Sequence, residues 1–167
     1  MSDSPPADDL FGVRVQAEDF DAAAEIAALA QGRTDIGAVV TFSGLCRADV
    51  KDGLPLAALH LEHYPGMAEA EMERILYEAR TRWPLSGGRV VHRFGRIVPG
   101  ENIVLVVTAS PHRGAAFAAA EFLMDWLKTS APFWKKEERP GAADDGAWVE
   151  AKDADDDAAL RWGSPSA

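Results

Sequence analysis

Apolar residues recur along this chain with two different periods, and the order in which the periods alternate limits the architectures open to it. Three stretches carry a helical period. In residues 18–31 Phe20, Ala23, Ile26, Leu29 and Ala30 form one stripe behind leading acids, and Gly32 ends it. After Pro65, which suits a first helical turn, Met72, Ile75, Leu76, Ala79 and Trp83 repeat the pattern until Pro84 and Gly87-Gly88. A third helix is predicted from about His112 to Thr129, stopped by Pro132. Outside them lie extended segments, with 36–44 rich in Val, Ile, Thr and Phe and 56–64 alternating Leu59, Leu61 and His63 against His60, Glu62 and Tyr64. These predict strands over 11–15, 36–44, 56–64, 89–98 and 102–110, the last two joined as a hairpin by Pro99-Gly100-Glu101. Residues 47–55 read as a polar loop with an Asp52-Gly53 turn. Extended pieces follow at 133–138 and 147–152, then a helical turn near 155–162. Helices and strands mix without strict βαβ alternation, so the chain reads as α+β, not as a doubly wound parallel sheet.

The 167 residues suit one domain, expected over 10–162 between disordered tails at 1–9 and 163–167. The tail 1–9 lacks the apolar core of a secretory signal, and no apolar run is long enough to cross a membrane. A cytoplasmic location is therefore expected. Cys46 is the single cysteine, which rules out an internal disulfide framework and any multi-cysteine zinc site. His60, His63 and His92 lack the spacing of known zinc motifs, so no metal is expected.

The formal charge of −10 argues against nucleic acid and anionic membrane as partners. Resolved along the chain it is uneven. Residues 1–25 carry −6 and residues 140–167 carry −5, whereas residues 89–139 carry +3. Acidic ends keep a protein soluble. A cationic site for a small anion is compatible with that distribution.

Three segments hold groups suited to such a site. In Ser110-Pro111-His112-Arg113, Ser110 reads as an N-cap and Pro111 as the first helical residue, and free amides there favour anions. His112 and Arg113 would add donors, the guanidinium as a fork that fits phosphate. In the segment Lys128–Glu137, Lys128 ends the helix, where it also complements the dipole. Lys135 and Lys136 are neighbours in an extended piece and so point to opposite faces. One can enter a pocket while the other meets solvent or Glu137. A lysine near other cations gives up its proton more readily and can act as base or nucleophile. In the third segment, Phe42–Arg47, a strand end delivers Arg47 into a loop. Cys46 reads there as a small buried residue and not as a nucleophile. His112 and Lys128 are sixteen residues apart on one predicted helix, about 24 Å of rise. If both serve one small ligand, two subunits must supply them, which predicts a homodimer with composite pockets.

Taken in order, Phe42-Ser43-Gly44-Leu45-Cys46-Arg47, Leu61-Glu62-His63-Tyr64, His92-Arg93-Phe94-Gly95, Ser110-Pro111-His112-Arg113, Leu127–Glu137 and Trp148-Val149-Glu150-Ala151 resemble the large, catalytic subunits of molybdopterin synthase. The resemblance spans roughly residues 11–162. Cys46 stands where that family is expected to carry valine, and Ala48-Asp49 replaces a more amide-rich loop. It implies an α/β-hammerhead fold and a dimeric core of a heterotetramer. Each large subunit would bind a small ubiquitin-like sulfur carrier whose C-terminal Gly-Gly tail arrives as a thiocarboxylate. The implied reaction moves two sulfurs, from two carriers in turn, to cyclic pyranopterin monophosphate, making the dithiolene of molybdopterin. No permanently bound cofactor is implied.

By the same resemblance Lys128 belongs at the acyl and sulfur-transfer centre and Lys135 at substrate activation. Leu45, Cys46, Arg47, His112, Arg113, Lys136 and Glu137 complete the substrate-binding set. Two rivals stay open on the residues alone: a lysine Schiff-base enzyme for a phosphorylated carbonyl compound, and a non-catalytic module that binds a pterin or nucleotide phosphate.

Overall fold

The structure, a computed structural model, describes residues 10–142, 148–149 and 153–163. The expectations for 1–9, for Ala147 and 150–152, and for 164–167 lie outside the described residues. Ten strands and four helices are assigned among the described residues, mostly in antiparallel pairs, and the class is α+β as expected.

The first sheet runs β1 (Phe11–Gln16), β6 (Gly87–Arg93), β8 (Asn102–Ser110), β2 (Ala38–Leu45). Only β1–β6 is parallel in this sheet. Its two faces are covered by different helices. Helices α2 (Met67–Arg82) and α3 (Arg113–Thr129) lie on one side, where Met72, Ile75, Val90, Val106 and Leu123 pack together. Helix α1 (Ala22–Ala30) lies on the other, against Val91, Leu105 and Val107 through Leu29. Successive residues of β8 thus enter opposite cores, which is why its sequence is apolar at consecutive positions and does not alternate. Asp21 caps α1 by accepting from the Ala24 amide at 3.0 Å.

The second sheet runs β10 (Trp148–Val149), β9 (Phe133–Glu138), β5 (Ala58–His63), β7 (Gly95–Ile97), all antiparallel. Its inner face holds Leu59, Leu61 and Ile97 against Cys46 and Leu56. The predicted loop 47–55 contains a two-residue hairpin instead, β3 (Val50–Lys51) and β4 (Leu54–Pro55). Asp52 and Gly53, at φ 52° and 78°, make the left-handed turn that suits a twisted pair. Helix α4 (Asp153–Leu160) replaces the predicted helical turn. Just beyond it Trp162 meets Trp83 and Phe122 edge-on, both at 5.7 Å, and donates to Asp125 Oδ2 at 2.6 Å.

Three local expectations are corrected. The predicted strand 89–98 is two strands in two sheets. The chain turns at Gly95, φ 91°, a conformation glycine adopts without strain, so Pro99-Gly100-Glu101 links the sheets and does not close a hairpin. Pro65 does not open α2. Gly66 is the cap at φ 86°, and Glu69 accepts its amide at 2.8 Å. Ser110 is not the N-cap of α3. It is the last residue of β8, fully buried, donating to the Pro84 carbonyl at 2.9 Å, while His112 caps the helix with extended backbone and no side-chain bond.

Candidate active site

The segment Leu45–Arg47 leaves β2 and is stitched to the link between the sheets. The Cys46 amide donates to the Glu101 carbonyl at 2.8 Å, and the Gly100 amide donates to the Cys46 carbonyl at 2.7 Å. These bonds fix the backbone while the side chains diverge. Cys46 points inward and is 2% exposed; Leu45 and Arg47 are exposed. Burial pushes the Cys46 thiol up, reinforced by Glu101 and opposed by the nearby Lys135 ammonium. A thiol held neutral is a poor nucleophile, as expected for an inert Cys46.

Strand β9 separates its two lysines as alternation requires. Lys135 is paired in register with Leu61 and lies on the inner face, on the side of Cys46. Lys136 is on the outer face, its Nζ 4.0 Å above the Trp148 ring and 3.6 Å from Glu62 Oε1. Glu137 faces the same way as Lys135 on β9. It accepts from Arg139 Nε at 3.0 Å. Further along the outer face Glu138 takes Arg96 and His60, at 2.9 and 2.7 Å. These donors hold its carboxyl well down, at about 2.

Lys128 stands exposed in the last turn of α3. His92 is buried in β6 and stacked on Phe133 with centroids 3.8 Å apart and rings 15° from parallel. Its Nδ1 donates to the Arg93 carbonyl at 2.8 Å, which defines the neutral tautomer. Burial lowers its pKa to about 4, and the Lys128 charge contributes to the lowering. Phe133 begins β9, so the stack ties β6 to the strand that carries Lys135. The zinc-motif spacing by which His92 is judged carries no information about this stack. The stack depends on two residues 41 positions apart and left no local signal.

One chain therefore brings Arg47, Cys46, Lys135, Glu137 and, through His92 and Phe133, Lys128 towards one end of the second sheet. It does not bring His112 and Arg113 there. Both are exposed at the other end of α3, which is unbroken from Arg113 to Thr129. Among the described residues the side chains of Arg47, Lys128, His112 and Arg113 have no hydrogen-bond or ion-pair partner. No group of three metal-ligating side chains is found among the described residues. No helix of the described chain is long and apolar enough to cross a membrane.

Residues 15–130 match the family described as MoaE protein. A molybdopterin synthase catalytic subunit of Mesorhizobium japonicum is 65% identical over 154 residues, covering 92% of this chain and 94% of that protein. A molybdopterin biosynthesis MoaE protein from Burkholderia ambifaria superposes with a TM-score of 0.77 at 48% identity, over 92% of this chain and 98% of that one. A complex of subunits 1 and 2 of molybdopterin-converting factor from Helicobacter pylori shares the fold, with a TM-score of 0.61 at 20% identity over 86% and 91% of the two chains. On these matches the chain belongs to the MoaE family of molybdopterin synthase catalytic subunits, enzymes that transfer sulfur in molybdenum cofactor biosynthesis.

Proposed function

We propose that this chain takes sulfur from the thiocarboxylated Gly-Gly tail of a small ubiquitin-like carrier and delivers it to cyclic pyranopterin monophosphate. It does so in the cytoplasm, as the homodimeric core of a heterotetramer and without a resident cofactor. The observation that carries the reading is the division of α3: Lys128 at one end beside the Lys135 strand, His112 and Arg113 at the other, about 24 Å away along the axis. In a dimer the partner's copy of the His-Arg pair completes the pocket. Arg47, His112 and Arg113 then hold the substrate phosphate. The ammonium of Lys128 stabilises the oxyanion that develops at the carrier's terminal carbonyl, and Lys135 activates the pterin by charge or proton transfer. Sulfur arrives on the carrier, so the chain needs no thiol of its own, which suits a buried Cys46.

The surface supports a second copy and a carrier. Strand β2 lies at an edge of the first sheet with Phe42 and Leu45 exposed, and Phe117 is 61% exposed on α3, which packs beside it. An apolar edge of this kind marks an interface. The Helicobacter neighbour is itself a two-subunit complex, as the carrier reading requires.

The test is reconstitution with thiocarboxylated carrier and cyclic pyranopterin monophosphate, scored as molybdopterin formed. Lys128→Ala is expected to abolish turnover, a loss of at least about 100-fold for removal of an oxyanion-stabilising charge, with an unchanged melting curve. Absence of product with the wild-type chain, or wild-type rates in the variant, would defeat the proposal.

A further inference from the structure

Arg139, the first residue after β9, is 5% exposed. A buried guanidinium is tolerated only when its charge and donors are matched. Here the matching groups come from three separate segments. Nε donates to Glu137 Oε2 at 3.0 Å on β9. Nη2 lies 3.0 Å from Asp49 Oδ2 in the loop after Arg47. Nη1 donates to the Leu54 carbonyl of β4 at 2.8 Å and reaches the Asp49 carbonyl at 3.4 Å. Two backbone bonds close the same ring, Leu56 N to Asp49 O and Ala57 N to Glu138 O, both 2.8 Å.

Asp49 is two residues past Arg47, and Glu137 is two residues past Lys135 on the same face of β9. No described residue holds the Arg47 side chain, so its place relative to the lysines is set by what anchors its loop. Upstream the anchor is the Cys46 stitch; downstream it is Asp49 on Arg139. We infer that Arg139 is a positioning residue. It clamps the Arg47 loop onto the Lys135 strand and so sets the distance between the phosphate-binding and sulfur-transfer ends of the pocket. The inference rests on the reading of Arg47 as a ligand of the substrate phosphate. Only a planar fork serves acceptors on three residues in this arrangement; a lysine supplies one point charge.

The test is a double-mutant cycle on the reconstituted enzyme, with cyclic pyranopterin monophosphate varied and thiocarboxylated carrier saturating. Arg47→Ala is expected to raise KM for the pterin at least about tenfold, and Arg139→Lys about fivefold with kcat within about twofold. In the Arg47→Ala background, Arg139→Lys should add less than about twofold, because the clamp acts through Arg47. Asp49→Ala, at a partly exposed position, should reproduce the KM effect and the coupling, and it carries the test if Arg139→Lys fails to fold. A wild-type KM in Asp49→Ala, or an Arg139→Lys effect as large without Arg47 as with it, overturns the inference while leaving the phosphate role of Arg47 intact. A wild-type KM in Arg47→Ala overturns that role, and the inference with it.

Discussion

The imidazole of His92 lies flat on Phe133, shares its Nδ1 proton with a backbone carbonyl and feels the repulsion of the Lys128 ammonium. A second proton on that ring would be a buried charge beside another cation. Its pKa accordingly falls from 6.5 to about 4, chiefly through burial. The unfolded chain binds this proton below pH 6.5 and the folded chain only below about 4. Stability from this group is therefore whole above pH 6.5, declines as the pH falls between those values, and loses no more below. The full span amounts to about 3 kcal/mol. His92→Gln keeps a donor for the Arg93 carbonyl and removes the titration. Its unfolding free energy, measured in urea from pH 7 to pH 4, should fall less steeply than wild type by about that amount; equal slopes would show that His92 does not stay neutral in the fold. The same scale shows what the residues alone conceal. Residues 89–139 read as a cationic reserve for a ligand, yet Arg89, Arg93, Arg96 and Arg139 are committed to Glu25, to backbone carbonyls, to Glu138 and to Glu137 with Asp49. Charge along a sequence does not say which cations already have partners.

Among the elements, β8 was legible as a long unbroken run of strand-favouring apolar residues and α3 as a long run of good helix formers, and packing then agrees with propensity. The break at Phe94-Gly95 was not. A strand leaving one sheet for another keeps its extended backbone and its apolar pattern, and only the change of partner marks the exit. The start of α3 was misplaced for a similar reason. Ser110 has the right chemistry for a cap, but it is buried and the Pro84 carbonyl takes its hydroxyl. That junction is buttressed by β2. Gly37 donates to the Ser110 carbonyl at 3.0 Å, and a Cβ on Gly37 would lie 2.1 Å from the Pro111 carbonyl oxygen. Backbone cannot yield there without moving the start of α3. Gly37→Ala should destabilise the protein by about 2 kcal/mol, as overpacking does, and lower its melting temperature by at least about 4 °C. Gly114→Ala, at the second residue of α3 with open space around it, should instead be neutral or raise stability by up to about 1 kcal/mol. Equal melting curves for Gly37→Ala and wild type would mean that β2 does not buttress the junction.

On the scale of the whole molecule, α3 is a strut that holds Lys128 about 24 Å from His112 and Arg113. Its length follows from an unbroken run of good helix formers between Gly114 and Thr129, and nothing within one chain brings the ends together. The composite-pocket reading therefore makes a quantitative demand on mixed dimers. Take one variant with Lys128→Ala and another with His112→Ala and Arg113→Ala, each inactive as a homodimer. In a mixed dimer one pocket collects all three lesions. The other pairs Lys128 of the second chain with the His-Arg pair of the first and is intact. Random assortment at equal amounts makes half of the dimers mixed, and each has one working pocket of two. Co-refolding the two variants should thus restore about a quarter of the wild-type molybdopterin-forming rate per chain, by the statistics of two identical sites. Complementation that stays at the level of the separate variants, in a preparation shown by mass to contain mixed dimers, would place His112 and Arg113 outside the pocket that Lys128 serves.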